Sequence, residues 1–185
     1  MLARAPKLGS ANNPAGTARG SSSVRRSRRG WAMTELLPEF TRLPVRGVFD
    51  GELVAFGNDR LPSFERVCLR MLQRDPSVPV SLVLFDVLEL DGEPTLRLPY
   101  LDRRELLESL TFGLGCHVCP RFDNGEALWQ SVVDHRLEGV VAKRLREPYR
   151  PGKRSWIKRK NPAWPRQRHT AEREAAIRDR ARRSR

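Results

Sequence analysis

The sequence predicts an α+β fold with a mixed or antiparallel sheet and flanking helices. Strand-like runs at 48–56 and 80–90 and helical spacings at 63–72, 102–110 and 125–135 do not alternate strictly, which argues against a uniformly parallel sheet. At 185 residues the chain is the size of one ordinary domain, long enough to bury a core. Its charged fraction of 31% lies above the globular average, so part of the chain is expected outside that core.

Each element has a local reason. The run Val48 to Phe56 is rich in strand formers with Gly51 inside it, which predicts a strand with a bend, closed by a turn at Gly57-Asn58-Asp59. Ser63 is an N-cap candidate before Phe64, Val67, Cys68, Met71 and Leu72, which have helical spacing. Val80 to Leu90 is almost continuously apolar, broken by Asp86 and ended by the turn Asp91-Gly92, the pattern of a buried central strand. The spacing over 102–110 predicts a helix with Leu101, Leu106, Leu107 and Leu110 inward and Arg103, Arg104, Glu105 and Glu108 outward. A short strand at 117–120, a helix from Gly125 to His135, and strands at Gly139–Lys143 and Trp156–Lys160 follow. Gly9 to Ser23, almost all Gly, Ser, Ala, Asn, Pro and Thr, reads as loop or disorder, and 1–23 as a disordered or degenerate segment. Beyond Pro162 the text turns to Arg, Ala and Glu, predicting a basic tail over 165–185, helical from Thr170 to about Arg183.

The formal net charge of +13 makes a polyanion, nucleic acid first, the expected partner. The charge is unevenly spread. Residues 1–30 hold seven basic and no acidic residues, 31–138 hold 11 basic against 18 acidic, and 139–185 hold 17 basic against 4 acidic. An acidic body with basic ends is expected, although basic tails also occur on proteins that bind nucleic acid without acting on it. No apolar run approaches the roughly 18 residues of a membrane span, and the first 30 residues lack a secretory core, so a soluble, intracellular protein without membrane contact is expected. Cys116-x-x-Cys119 has no second pair and Cys68 stands alone, which disfavours zinc, disulfide and redox roles; His117 and His135 read as structural or surface groups.

Three segments place charge inside strand-like apolar text, where an unpaired charge is costly: Asp50-Gly51-Glu52, Phe85-Asp86, and Glu138-Gly139-Val140-Val141-Ala142-Lys143. A fourth, Trp156-Ile157-Lys158-Arg159-Lys160, alternates so that Lys158 and Lys160 share a strand face. Together they offer carboxylates for a cation, an aromatic for a base and lysines for phosphate, a set that fits a nucleoside triphosphate with its metal. Mg²⁺ takes one or two carboxylates plus phosphate oxygens and water, which Glu52 and Glu138 supply. Taken singly, Phe85 is a core residue, Glu52 and Glu138 are strand-edge charges, and Lys158 and Lys160 beside Trp156 form a phosphate-backbone track that needs no ATP.

Taken in order, these segments with Ser27-Arg28-Arg29-Gly30 and Leu84-Phe85-Asp86 resemble the motif series of ATP-dependent DNA ligases, the bacterial branch in particular. The similarity runs from about Val24 to Trp164, including Asp91-Gly92 and Pro148-Tyr149-Arg150-Pro151-Gly152. The resemblance implies an ATP-grasp-like nucleotidyltransferase (adenylation) domain over 24–164, acting in DNA repair and recombination. By the same resemblance Arg28 contacts the nucleotide sugar and the nicked end, Glu52 binds ribose or metal, Phe85 stacks on adenine, and Glu138 belongs to the metal site. Lys143, Lys158 and Lys160 surround the α-phosphate. ATP and Mg²⁺ (or Mn²⁺) are the implied cofactors, nicked double-stranded DNA and DNA-repair proteins the implied partners, and a monomer in the bacterial cytoplasm at the nucleoid the implied setting.

The sequence departs from the family at the nucleophile. No Lys-x-Asp-Gly occurs; Lys7, in Lys7-Leu8-Gly9-Ser10, stands at a suitable distance before Arg28 and is the nucleophile candidate. A shifted or misplaced reading frame over Gly9–Ser23 and a degenerate protein that does not adenylate are the two accounts of that stretch. The chain stops about where the family's oligonucleotide-binding barrel starts, so no barrel is expected. Three functions follow in order: a nick-sealing DNA ligase, an inactive nucleotide- or DNA-binding remnant of the same fold, and an RNA ligase or capping-type nucleotidyltransferase.

Overall fold

A computed structural model describes residues 7–9, 23–25, 45–58, 60–113, 115–152 and 156–164. Two short strands, β1 (Lys7–Gly9) and β2 (Ser23–Arg25), pair antiparallel, Leu8 opposite Val24. The central sheet is built on β4 (Ser81–Leu90), paired antiparallel along its length with β3 (Gly47–Val54), beside which β1 lies. At its far end β4 turns through Asp91 and Gly92 into β5 (Glu93–Pro94). Both turn residues have positive φ, 51° and 91°, which suits a two-residue hairpin loop and explains the Asp-Gly. On its other edge Leu82–Leu84 pair in parallel with β6 (Cys116–Val118), so the sheet is mixed.

Helix α1 (Phe64–Leu72) starts where Ser63 Oγ accepts the Arg66 amide, and α3 (Gly125–Asp134) where Asn124 Oδ1 accepts the amides of Glu126 and Ala127. Between them runs α2 (Tyr100–Ser109). A two-stranded antiparallel ribbon, β7 (Gly139–Ala142) with β8 (Ile157–Lys160), completes the described elements. No closed barrel is present among the described residues. The core lies on one face of β3 and β4, where Phe49, Leu53, Leu82, Leu84 and Val87 meet Val78, Val80, Leu107 of α2 and Cys116 of β6.

One expectation fails. Arg103 and Arg104, read as the outward face of α2, are 1% and 2% exposed. Each has a specific acceptor set: Arg104 donates to Glu108 and to the Cys119 carbonyl, and Arg103 grips Asp86. A guanidinium so satisfied tolerates burial, which hydropathy alone does not reveal. Arg28 and its motif, most of Gly9–Ser23 and the tail over 165–185 lie outside the described residues. No helix among the described residues is long and apolar enough to cross a membrane.

Candidate functional site

The site is set by an irregularity in β4. Asp50 pairs with Asp86 and Gly51 with Leu84, leaving Phe85 as one residue more than β3 matches. This is a β-bulge, a device that re-aims side chains beside functional sites. Phe85 and Asp86 thus sit together opposite Asp50, while Leu84 and Val87 on either side stay in the core. Strand alternation puts Glu52 on the same face as Asp50, away from Phe49 and Leu53. Gly51 permits the close pairing, because a Cβ there would lie 2.8 Å from the Val83 carbonyl oxygen.

Glu52 is 5% exposed, and its Oε2 makes no hydrogen bond among the described residues. Burial pushes its carboxyl up to about 8, against the pull of neighbouring positive charge that includes Lys158. A buried oxygen lacking a donor fits a cation or a ligand hydroxyl. Asp86, by contrast, is already committed. Its Oδ1 accepts Arg103 Nε at 2.8 Å and its Oδ2 accepts Arg103 Nη2 at 2.9 Å, with Lys143 Nζ 3.6 Å from Oδ2.

Lys143 follows directly on β7 and reaches across to β4. Its Nζ donates to the Phe85 carbonyl at 3.2 Å and lies over the rings of Trp156, Tyr100 and Phe85, 4.2, 4.5 and 5.2 Å from their centroids. Burial holds this ammonium below its ordinary pKa, opposed by Asp86 and Asp50. Tyr149 Oη donates to Asp50 Oδ2 at 3.1 Å, and its ring packs edge-on against Trp156.

In the ribbon, Val141 faces Lys158 and Gly139 faces Lys160. Lys160 Nζ is 3.5 Å from Glu138 Oε1, and both lysines of β8 are exposed. Gly139 is required by this pairing, since a Cβ would overlap the Arg159 carbonyl. Asn161, 3% exposed, fastens the end of the ribbon: its amide donates to the Glu138 carbonyl and its Nδ2 to Leu137 and Val132 carbonyls. Sequence reasoning missed Asn161 and Arg103, and only for Arg103 was there a signal, Asp86 in an apolar strand demanding a cation.

Of the candidate residues, Phe85 and Lys143 are in contact and Glu138 and Lys160 are in contact, while Glu52 Oε2 bonds to neither pair. Lys7 lies on β1, next to β3. Cys116 belongs to the core and Cys119 is half-buried; burial raises both thiols, Cys116 to about 11.

Solved structures define the class. A mycobacterial DNA ligase D complexed with ATP and MES has this fold with a TM-score of 0.62 at 33% identity, over 77% of this chain and 48% of that one. The ligase domain of M. tuberculosis LigD gives 0.61 at 34% identity, with the same coverage. The fold is that of a ligase-type nucleotidyltransferase domain. The family described as the ATP dependent DNA ligase domain matches residues 19–160, downstream of Lys7, and the chain belongs to that family. It is 41% identical over 144 residues to the multifunctional non-homologous end joining protein LigD of Mycolicibacterium smegmatis, covering 73% of this chain and 18% of the relative. It is 32% identical over 150 residues to a DNA ligase of Methanocorpusculum labreanum, covering 71% of this chain and 27% of that protein. The chain thus spans about a fifth to a quarter of the curated relatives' length.

Proposed function

We propose that this chain carries out the adenylyl-transfer chemistry of an ATP-dependent DNA ligase. The observation that carries the reading is the meeting of Phe85, Lys143 and Trp156 at the bulge of β4, with the buried carboxyl of Glu52 on the neighbouring strand β3, within a chain of that family. In the reaction, the amine lone pair of a lysine bonds to the α-phosphorus of ATP as the bridge to the β-phosphate breaks and pyrophosphate leaves. A 5′-phosphate oxygen of nicked DNA then takes the AMP, and the 3′-hydroxyl oxygen attacks that 5′-phosphorus with AMP as leaving group.

This chain's residues divide the work. The Phe85 ring offers a face for adenine, and Glu52 an acceptor for ribose hydroxyls or the cation. Lys143, Lys158 and Lys160 set positive charge where negative charge grows at the α-phosphate. Arg28 follows the nucleophile and meets the sugar and the nicked end. Mg²⁺ or Mn²⁺ would be held by Glu138 and Glu52 and would neutralise phosphate charge. Lys7 is the nucleophile; it must be neutral to attack, and cations nearby lower a lysine's pKa.

Incubation with α-labelled ATP and Mg²⁺ tests the reading: a labelled protein band requires a lysine adenylate. Label lost in Lys7→Ala assigns the nucleophile, and label retained there removes Lys7 from the role. The absent Lys-x-Asp-Gly favours a second reading, a remnant that binds nucleotide or DNA without chemistry, for which no band forms while ATP still binds.

A further inference from the structure

Arg103 is the largest fully buried side chain of the described residues, and the motif series gives it no part. It makes four hydrogen bonds. Nε and Nη2 take the two oxygens of Asp86, and Nη1 donates to the carbonyls of Leu98 at 2.6 Å and Glu147 at 3.3 Å. The guanidinium also lies over the rings of Tyr100 and Tyr149, 5.6 and 5.8 Å from their centroids. It therefore ties β4, the approach to α2 and the segment after β7 to one point.

Two cations face the Asp86 carboxylate, which is 0% exposed and cannot be neutralised by water. The planar fork of Arg103 fills both oxygens, as arginine does and lysine cannot. Lys143 is left one contact of 3.6 Å, a carbonyl and three aromatic faces. None of these holds an ammonium as a close carboxylate would. We propose that Arg103 is a positioning residue that keeps Lys143 available to a nucleotide phosphate by occupying the Asp86 carboxylate. Without the guanidinium, Asp86 has Lys143 as its remaining close cation, and the ammonium collapses onto it. The proposal rests on the ATP site described above.

The test is binding of an ATP analogue with an uncleavable α–β bridge, measured by calorimetry on the whole chain with Mg²⁺ and with Tm recorded for every variant. Arg103→Met is expected to bind about tenfold or more weakly, the loss of one charge-assisted contact. Asp86→Asn with Arg103→Met removes the competing charge and is expected to return within about threefold of the parent, since a buried ion pair is often replaced by a neutral pair at little cost. If Arg103→Met does not fold, Arg103→Lys carries the test: its point charge grips one oxygen only, and affinity falls roughly threefold. Unchanged affinity in a folded single variant, a double variant as weak as the single one, or an affinity that merely follows Tm down and back up across the variants, as a purely structural arginine would give, overturns the inference. A parent chain that binds no analogue overturns the reading of the site itself, and this inference with it.

Discussion

Glu52 shows how one side chain couples the fold to its chemistry. Its carboxyl is held at about 8 by burial, well above the ordinary value of 4.5, so the folded protein binds a proton there that the unfolded chain releases. The sign follows. Glu52 favours folding fully below about pH 4.5, and that contribution is lost as pH rises towards 8, at most about 1.4 kcal/mol per pH unit. Glu52→Gln should therefore flatten stability against pH between about 5 and 8, read by urea titration; an unaltered profile places the slope elsewhere. Glu138→Ala is expected to lose metal-dependent label with Tm intact, because Asn161 holds the Glu138 backbone rather than its side chain. An unfolded product would make Glu138 structural. The residue types of the site were legible because a charge in an apolar strand demands a reason, and Asp50, Glu52 and Asp86 all stood out on that ground. The identity of each partner was not: nothing in the sequence pairs Asp86 with Arg103 across 17 positions.

The elements that were legible are those with strong local patterning. The long run ending at Asp91-Gly92 became β4 with its turn, and Ser63 became the cap of α1. Helix α2 was placed, but its faces were misassigned, since periodicity counts arginine as polar whether or not it finds acceptors. Strand β5, two residues long, and the three-residue β1 and β2 are too short to carry a period. The bulge at Phe85 was also invisible, being a property of register between two strands rather than of either alone. At this scale Gly139→Ala is the sharpest perturbation. The added methyl meets the Arg159 carbonyl and must push β8 from β7, at a cost of about 1–3 kcal/mol. Urea unfolding should show that loss, together with weaker ATP binding as Glu138 and Lys160 part; an unchanged midpoint would mean the ribbon yields freely.

Over the whole molecule, the positive charge is concentrated towards the two ends of the sequence. The acidic body holds Glu52, Phe85 and Glu138, whereas residues 165–185 carry eight arginines against three acidic residues. Binding to nicked DNA should therefore weaken with salt, log affinity falling by roughly 0.9 per phosphate contact for each log unit of salt. Removing 165–185 should reduce that slope while leaving ATP affinity unaltered, and an unaltered slope would move the DNA contacts onto the body. All of this presumes that Glu52, Phe85, Glu138, Lys143, Lys158 and Lys160 surround one nucleotide. A crystal structure of the chain with ATP and Mg²⁺ examines that most directly. Adenine is expected against the Phe85 ring, the sugar or cation at Glu52, and the α-phosphate among the lysines. A nucleotide bound elsewhere, with those side chains turned to separate regions, would contradict it.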